Sequence, residues 1–235
     1  MYRSRRCQSR VLPGRRPYYI PGMPDVGDRE LLRQWQGGDA SAGELLVERY
    51  FDRIYRFFHT KLDREADELV QSTFLACLAA KDRFRGDSSF ATFLYGIARN
   101  QLYAALRNRH RDARHVDLEV SSIADLVSTP RTKLARSEDY ERLVAQLRRL
   151  PVEQQTLLEL HYWSDLEIGE LAEVFEAPEV TIRSRLHRAR NALRELLNAD
   201  AAPAGARGGD APDADAASLE AMDSWARGLS RARLS

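Results

Sequence analysis

From Asp28 onward, apolar residues return every three or four positions and hardly ever alternate. That period belongs to a helix with one buried face, whereas a half-buried strand would show a period of two. Leu31, Leu32 and Trp35 open the first stripe, and Leu45, Leu46, Phe51, Ile54, Tyr55 and Phe58 carry the second. Leu69, Val70, Thr73, Phe74 and Leu78 form a third over about 65–81. Phe90, Phe93, Leu94, Ile97, Leu102 and Leu106 form a fourth, for which Ser88 or Ser89 is the expected cap. Ser41 with Glu44, and Ser164 with Glu167, read as capping boxes, in which the Ser oxygen accepts from an orphan N–H and the Glu reaches back. The expected fold is all-α.

The period fails over 113–137, where Val120-Ser121-Ser122 and Ser128-Thr129-Pro130 stand, and it resumes over 138–198. Two small helical domains, 28–112 and 138–198, joined by a flexible linker are therefore expected. That linker, about 25 residues, can span tens of Å when extended at ~3.3 Å per residue. Residues 1–27 hold Pro13, Pro17, Pro21 and Pro24 without any period and read as a disordered basic arm. Met23 as the true start is a second reading of the same stretch. Residues 199–235 are a low-complexity Ala, Pro, Gly and Asp tail, too poor in large apolar groups to offset ordering entropy. Within it Leu219, Met222, Trp225 and Leu229 are spaced for a short helix, with a frayed tail as the alternative. The longest unbroken apolar run, Phe74 to Ala80, is seven residues. A membrane helix needs about 20, so no membrane insertion is expected. Two cysteines, Cys7 and Cys77, make no disulfide framework, and a reducing, cytoplasmic setting fits them. Cys77 reads as a small buried hydrophobe.

A net charge of +1 conceals a strong pattern. Residues 1–24 contain six Arg and no acid, leaving 30 basic against 35 acidic groups beyond them. Within that acidic remainder lie two basic stripes. One holds Arg99, Arg107, Arg109, Arg111 and Arg114, and the other Arg183, Arg185, Arg188, Arg190 and Arg194. Two such stripes suit an anionic polymer held at two places, and two solvated helix faces are the plainer alternative.

The second stripe sits in a helix-turn-helix. Pro151 suits a first helical position, and Leu157, Leu158 and Leu160 line the helix it opens. Leu166, Ile168, Leu171, Ala172 and Phe175 follow, then the break Glu176-Ala177-Pro178. In the next helix Val180, Ile182, Leu186, Ala189 and Leu193 face inward, opposite Thr181, Arg183, Ser184, Arg185, His187, Arg188 and Arg190. Arg can fork onto guanine, Ser and Thr can reach bases or phosphate, and the remaining Arg neutralise the backbone.

Leu150-Pro151-Val152-Glu153-Gln154-Gln155, Leu171-Ala172-Glu173 and the run Thr181 to Arg190 closely resemble region 4 of sigma-70-type RNA polymerase sigma factors, in their compact extracytoplasmic-function (ECF) group. Asp67 to Leu75 resembles region 2.2, and Phe84 to Asn100 resembles regions 2.3 and 2.4. The likeness covers about 28–112 and 138–197, with no sign of regions 1.1 or 3. It departs from the family pattern at Glu176 and Val180, where Gly is usual, and at Glu179, a carboxylate beside the recognition helix. The lost turn Gly implies a different turn conformation.

The resemblance implies a transcription initiation factor. Its partners would be core RNA polymerase, through the β′ clamp helices and the β flap, promoter DNA and an anti-sigma factor. The setting would be the bacterial nucleoid. It implies that Asp67, Glu68, Gln71, Phe74 and Leu75 bind the polymerase, with Phe74 equally readable as core. It implies −10 recognition by Arg85, Asp87, Ser88, Ser89, Arg99, Asn100, Tyr103 and Arg107. It implies −35 recognition by Thr181, Arg183, Ser184, Arg185, His187, Arg188 and Arg190. Phe84, Phe90 and Phe93 read as core by their spacing. Three other classes stand beside this one: a DNA-binding regulator acting without polymerase, a sigma-like interaction module, and an enzyme. The last finds no Gly-rich phosphate loop, no metal-ligand spacing and no nucleophile–base pair, so no catalytic residue and no cofactor are expected. The five His are read as surface or packing residues.

Overall fold

The structure is a computed structural model, described for residues 26–62, 65–109, 117–127 and 138–201. The basic arm, most of the tail including Trp225, and His110 and His115 lie outside the described residues. Four helices build the first bundle: α1 (Asp28–Gln36), α2 (Ala40–His59), α3 (Ala66–Ala80) and α4 (Phe90–Arg109), with a 3-10 turn at Lys81–Arg83 before α4. The predicted stripes are what pack. Leu31, Leu46, Ile54, Phe58, Leu94, Tyr95, Leu102 and Leu106 are all buried in one core. Asp28 in the first turn of α1 accepts from the Arg49 guanidinium and the Tyr50 hydroxyl of α2. Gln36 closes the other end of α1, donating to the carbonyls of Lys81 (2.7 Å) and Phe84 (2.9 Å). Trp35 lies flat on Gly43, where a Cβ would come within 2.3 Å of the indole nitrogen.

The second bundle comprises α5 (Ile123–Leu126), α6 (Glu138–Leu147), α7 (Val152–Trp163), α8 (Ile168–Val174) and α9 (Glu179–Ala201). Its core holds Leu143, Leu147, Leu157, Leu160, Leu171, Phe175, Ile182, Leu186 and Leu193. Part of the predicted linker is folded onto this bundle. Ser122 and Asp125 form a capping box around α5, and Leu118, Ile123 and Val127 are buried. The first turn of α7 has orphan N–H groups, and this stretch supplies their acceptors. Val152 donates to the Ser121 carbonyl (3.0 Å) and Glu153 to the Leu118 carbonyl (3.1 Å).

Three local readings shift. Asp39, not Ser41, caps α2, its carboxylate accepting from the Ser41 amide at 2.9 Å. The box before α8 is Glu167 with Glu170. Ser164 instead donates to the Tyr95 hydroxyl at 2.8 Å. The turn at Glu176 keeps the left-handed conformation a glycine would favour, with φ 52°, so the missing Gly leaves strain and not a new turn. Among the described residues, no helix is long and apolar enough to cross a membrane.

Candidate nucleic-acid interface

Helix α9, expected to be the recognition helix, starts just after Pro178, where Glu179 suits the helix dipole and pairs with Arg183 at 2.6 Å. Its inner face is sealed by Ile182, Leu186 and Ala189, with Val180 exposed rather than inward. Arg183, Ser184, His187 and Arg188 are exposed together on the outer face, while Thr181 is half-buried. The seven predicted residues therefore divide. Arg185 is turned back to Glu153 of α7 and to Glu119 (3.3 Å). Arg190 lies over the Tyr162 ring, 5.6 Å from its centroid. A 60 Å³ cavity lined by Glu119, Glu153, Gln154, Leu157, Arg185 and Arg188 lies where that ion-pair cluster meets the outer face of α9. Burial lifts the Glu153 carboxyl above its ordinary range, and Arg185 partly opposes the shift.

On the first bundle, α3 presents Asp67, Glu68, Gln71 and Leu75 to solvent. Phe74 is half-buried, with its ring stacked on Phe51 at 6.3 Å. Leu75, Leu78 and Phe51 make this an apolar ridge, being 58%, 47% and 45% exposed. Its acidic flank includes Asp67, which meets His59 at 2.9 Å.

The predicted strand-binding residues are carried by the loop before α4 and by α4 itself. Ser89 is the cap, accepting from the Thr92 amide at 3.1 Å. Arg85, Asp87, Asn100 and Arg107 are exposed, and Ser88 is half-buried. Phe90 is core, and Phe84 and Phe93 pack on one another at 4.6 Å. Arg99 sits over the Tyr103 ring (4.6 Å) and over the Phe175 ring of the second bundle (5.1 Å). It also donates to the Val174 carbonyl at 3.3 Å. Tyr103 is buried, which pushes its hydroxyl up to about 12.

Those contacts belong to an interface that periodicity did not reveal. Glu170 of α8 accepts from the hydroxyls of Ser89 (2.7 Å) and Thr92 (3.3 Å). Deeper, the Lys61 ammonium meets the Glu159 carboxylate, with side-chain exposures of 0% and 3%. Lys61 also donates to the Phe57 carbonyl (2.9 Å). Thr60 (3.1 Å) and Gln155 (2.7 Å) donate to Glu159. Burial holds Lys61 below the usual lysine range, and Glu159 works against that shift. The one sequence signal was Glu159 itself, a carboxylate standing among Leu157, Leu158 and Leu160.

A family model described as ECF sigma factor matches residues 26–199. The chain belongs to the ECF sigma factor family. Its role, as a sigma factor, is in transcription initiation. It is 33% identical over 184 residues to RNA polymerase sigma-H factor of Pseudomonas aeruginosa, covering 72% of this chain and 93% of that protein. It is 28% identical over 181 residues to ECF RNA polymerase sigma factor SigW of Bacillus subtilis, covering 72% and 96%. Two solved folds are similar. CnrH in complex with the cytosolic domain of CnrY matches with a TM-score of 0.55 at 24% identity, covering 74% of this chain and 99% of that one. The sigma factor RpoE in complex with the anti-sigma factor NepR from Bartonella quintana matches with a TM-score of 0.53 at 25% identity, covering 67% and 97%.

Proposed function

We infer that this ECF sigma factor brings core RNA polymerase to promoters by reading two elements at once. The observation that carries the reading is the outer face of α9, where Arg183, Ser184, His187 and Arg188 are presented together over a sealed apolar face. Such a helix suits the major groove of a duplex −35 element, with Arg on base edges and the other groups on phosphate. Arg85, Asp87, Ser88, Ser89, Arg99, Asn100, Tyr103 and Arg107 serve the melted −10 element. Arg neutralises phosphate there, and flipped bases need stacking surfaces. Asp67, Glu68, Gln71, Phe74 and Leu75 dock on the polymerase clamp helices, the acids meeting basic groups and the ridge of Leu75, Leu78 and Phe51 providing area. The region 4 domain rests on the β flap.

On the polymerase the two weak contacts act at high effective concentration. Strand opening is held by trapping displaced bases, without a catalytic step or cofactor, in the cytoplasm at the nucleoid. An anti-sigma factor is the expected regulatory partner, in keeping with the RpoE–NepR complex. Run-off transcription with purified core enzyme on cognate promoter fragments tests the reading. A promoter-dependent transcript is expected, and its absence would overturn the assignment.

A further inference from the structure

Val180 stands where the sequence pattern places an inward residue, yet it faces solvent, 77% exposed in the first turn of α9. Burial therefore contributes almost nothing there. A β-branched side chain is also a weak helix former, so local propensity does not account for it either. Of the other large apolar side chains exposed among the described residues, Phe51, Leu75 and Leu78 share the α3 ridge and Val120 lies before α5. Val180 is the one that α9 carries. Three, four and seven positions on are Arg183, Ser184 and His187, so all four share one face of the helix. The opposite face is the sealed one of Ile182, Leu186 and Ala189. Glu179 pairs with Arg183 at 2.6 Å, which draws that guanidinium back toward the turn that carries Val180. An isopropyl group offers no donor or acceptor to a base edge or a phosphate. The feature of the major groove that suits it is the C5-methyl group of thymine.

We propose that Val180 is a specificity-determining residue, packing its methyl groups against the C5-methyl of one thymine in the −35 element, in the stretch of groove that Arg183 enters. The proposal rests on the promoter reading above and deepens it. The duplex is chosen by an apolar contact as well as by hydrogen bonds. Arg183 supplies charge and a donor fork, which phosphates and guanines answer. Val180 supplies a preference that only a 5-methylpyrimidine satisfies, and it does so without adding to the salt-dependent attraction for any DNA.

The test uses the full chain assembled with core polymerase, on a promoter fragment that supports run-off. Each thymine of the −35 element, on both strands, is replaced in turn by deoxyuridine, which removes only the C5-methyl. Binding is read by competition gel shift in the cold, where the duplex stays closed, for wild type, Val180→Gly and Val180→Ile. Wild type is expected to lose about three- to fivefold at one position, the worth of one buried methyl group. Val180→Gly should bind the thymine and uracil fragments equally at that position, and Val180→Ile should keep the difference. A side chain this exposed can be replaced without unfolding the chain, and thermal melts of the three proteins check that. Indifference of wild type to uracil at every position, or a loss that Val180→Gly retains in full, would overturn the proposal. Run-off separates the two levels. No transcript from the wild-type holoenzyme sinks the promoter reading, and normal run-off with indifference to the methyl group sinks the Val180 contact alone.

Discussion

Arg185 of α9 forms an ion pair with Glu153, at the start of α7. A residue read by spacing as part of the reading face is thus a tie within its own domain. Arg185→Ala is expected to lower stability by about 1.5–3 kcal/mol, the scale of a charged hydrogen bond left without its partner. Arg183→Ala and Arg188→Ala should leave the melting temperature nearly unchanged. Each should weaken duplex −35 binding by about 1–3 kcal/mol. Thermal melts and duplex anisotropy check the division. If Arg183→Ala and Arg188→Ala bind as wild type does, the outer face is not the reading face.

Glu153 adds a pH signature. Burial raises its folded-state value above the ordinary 4.5. Between 4.5 and that raised value the native chain holds more protons than the unfolded one, so this contribution to stability is present below 4.5 and fades as pH climbs. Urea midpoints measured from pH 4 to 7 should show the component in wild type and lack it in Glu153→Gln.

Leu75 is 58% exposed on the α3 ridge. Leu75→Asp should therefore leave folding intact while weakening core polymerase binding at least about tenfold, because a charge buried at an interface without a partner is costly. Pull-down with core enzyme beside circular dichroism separates the two effects. Unchanged polymerase binding would move the docking face elsewhere.

Glu176 holds φ 52° with no glycine to ease it. Glu176→Gly should stabilise the chain by about 1 kcal/mol, the cost of a left-handed non-glycine residue. Duplex affinity should stay the same, since the turn geometry is already in place. A lower melting temperature for this variant would show that Glu176 makes a compensating contact.

Cys77 is buried in α3, and burial pushes its thiol up to about 12. With Cys7 replaced by Ser, the native chain should resist a thiol reagent at pH 8 and react on unfolding. The neutral thiol favours the fold below its unfolded value, and this contribution disappears as pH rises through about 12.

Helix faces were legible because burial on one side leaves a period in the sequence. Ile54, Phe58, Leu94 and Leu102 could be assigned to the core from spacing alone, and so could Ile182 and Leu186. Cap positions were less legible, because several side chains near a helix start can reach the same amides. Asp39 outcompetes Ser41 by standing one residue before the helix. Ser164 is diverted by Tyr95, a residue 69 positions away. The seam between the bundles was illegible for the same reason. Lys61 and Glu159 stand 98 positions apart, and no local pattern pairs them. Arg99 and Arg185 were rightly singled out as cations, but charge runs do not say which guanidinium an inward acceptor will claim.

The stretch 117–127 is fastened to α7 through the Ser121 and Leu118 carbonyls. Eight residue steps separate Asp117 from Arg109, the last residue of α4. At ~3.5 Å each they pay out to no more than ~28 Å. While that fastening holds, this short leash, and not the whole stretch between α4 and α6, sets how far apart the two bundles can stand.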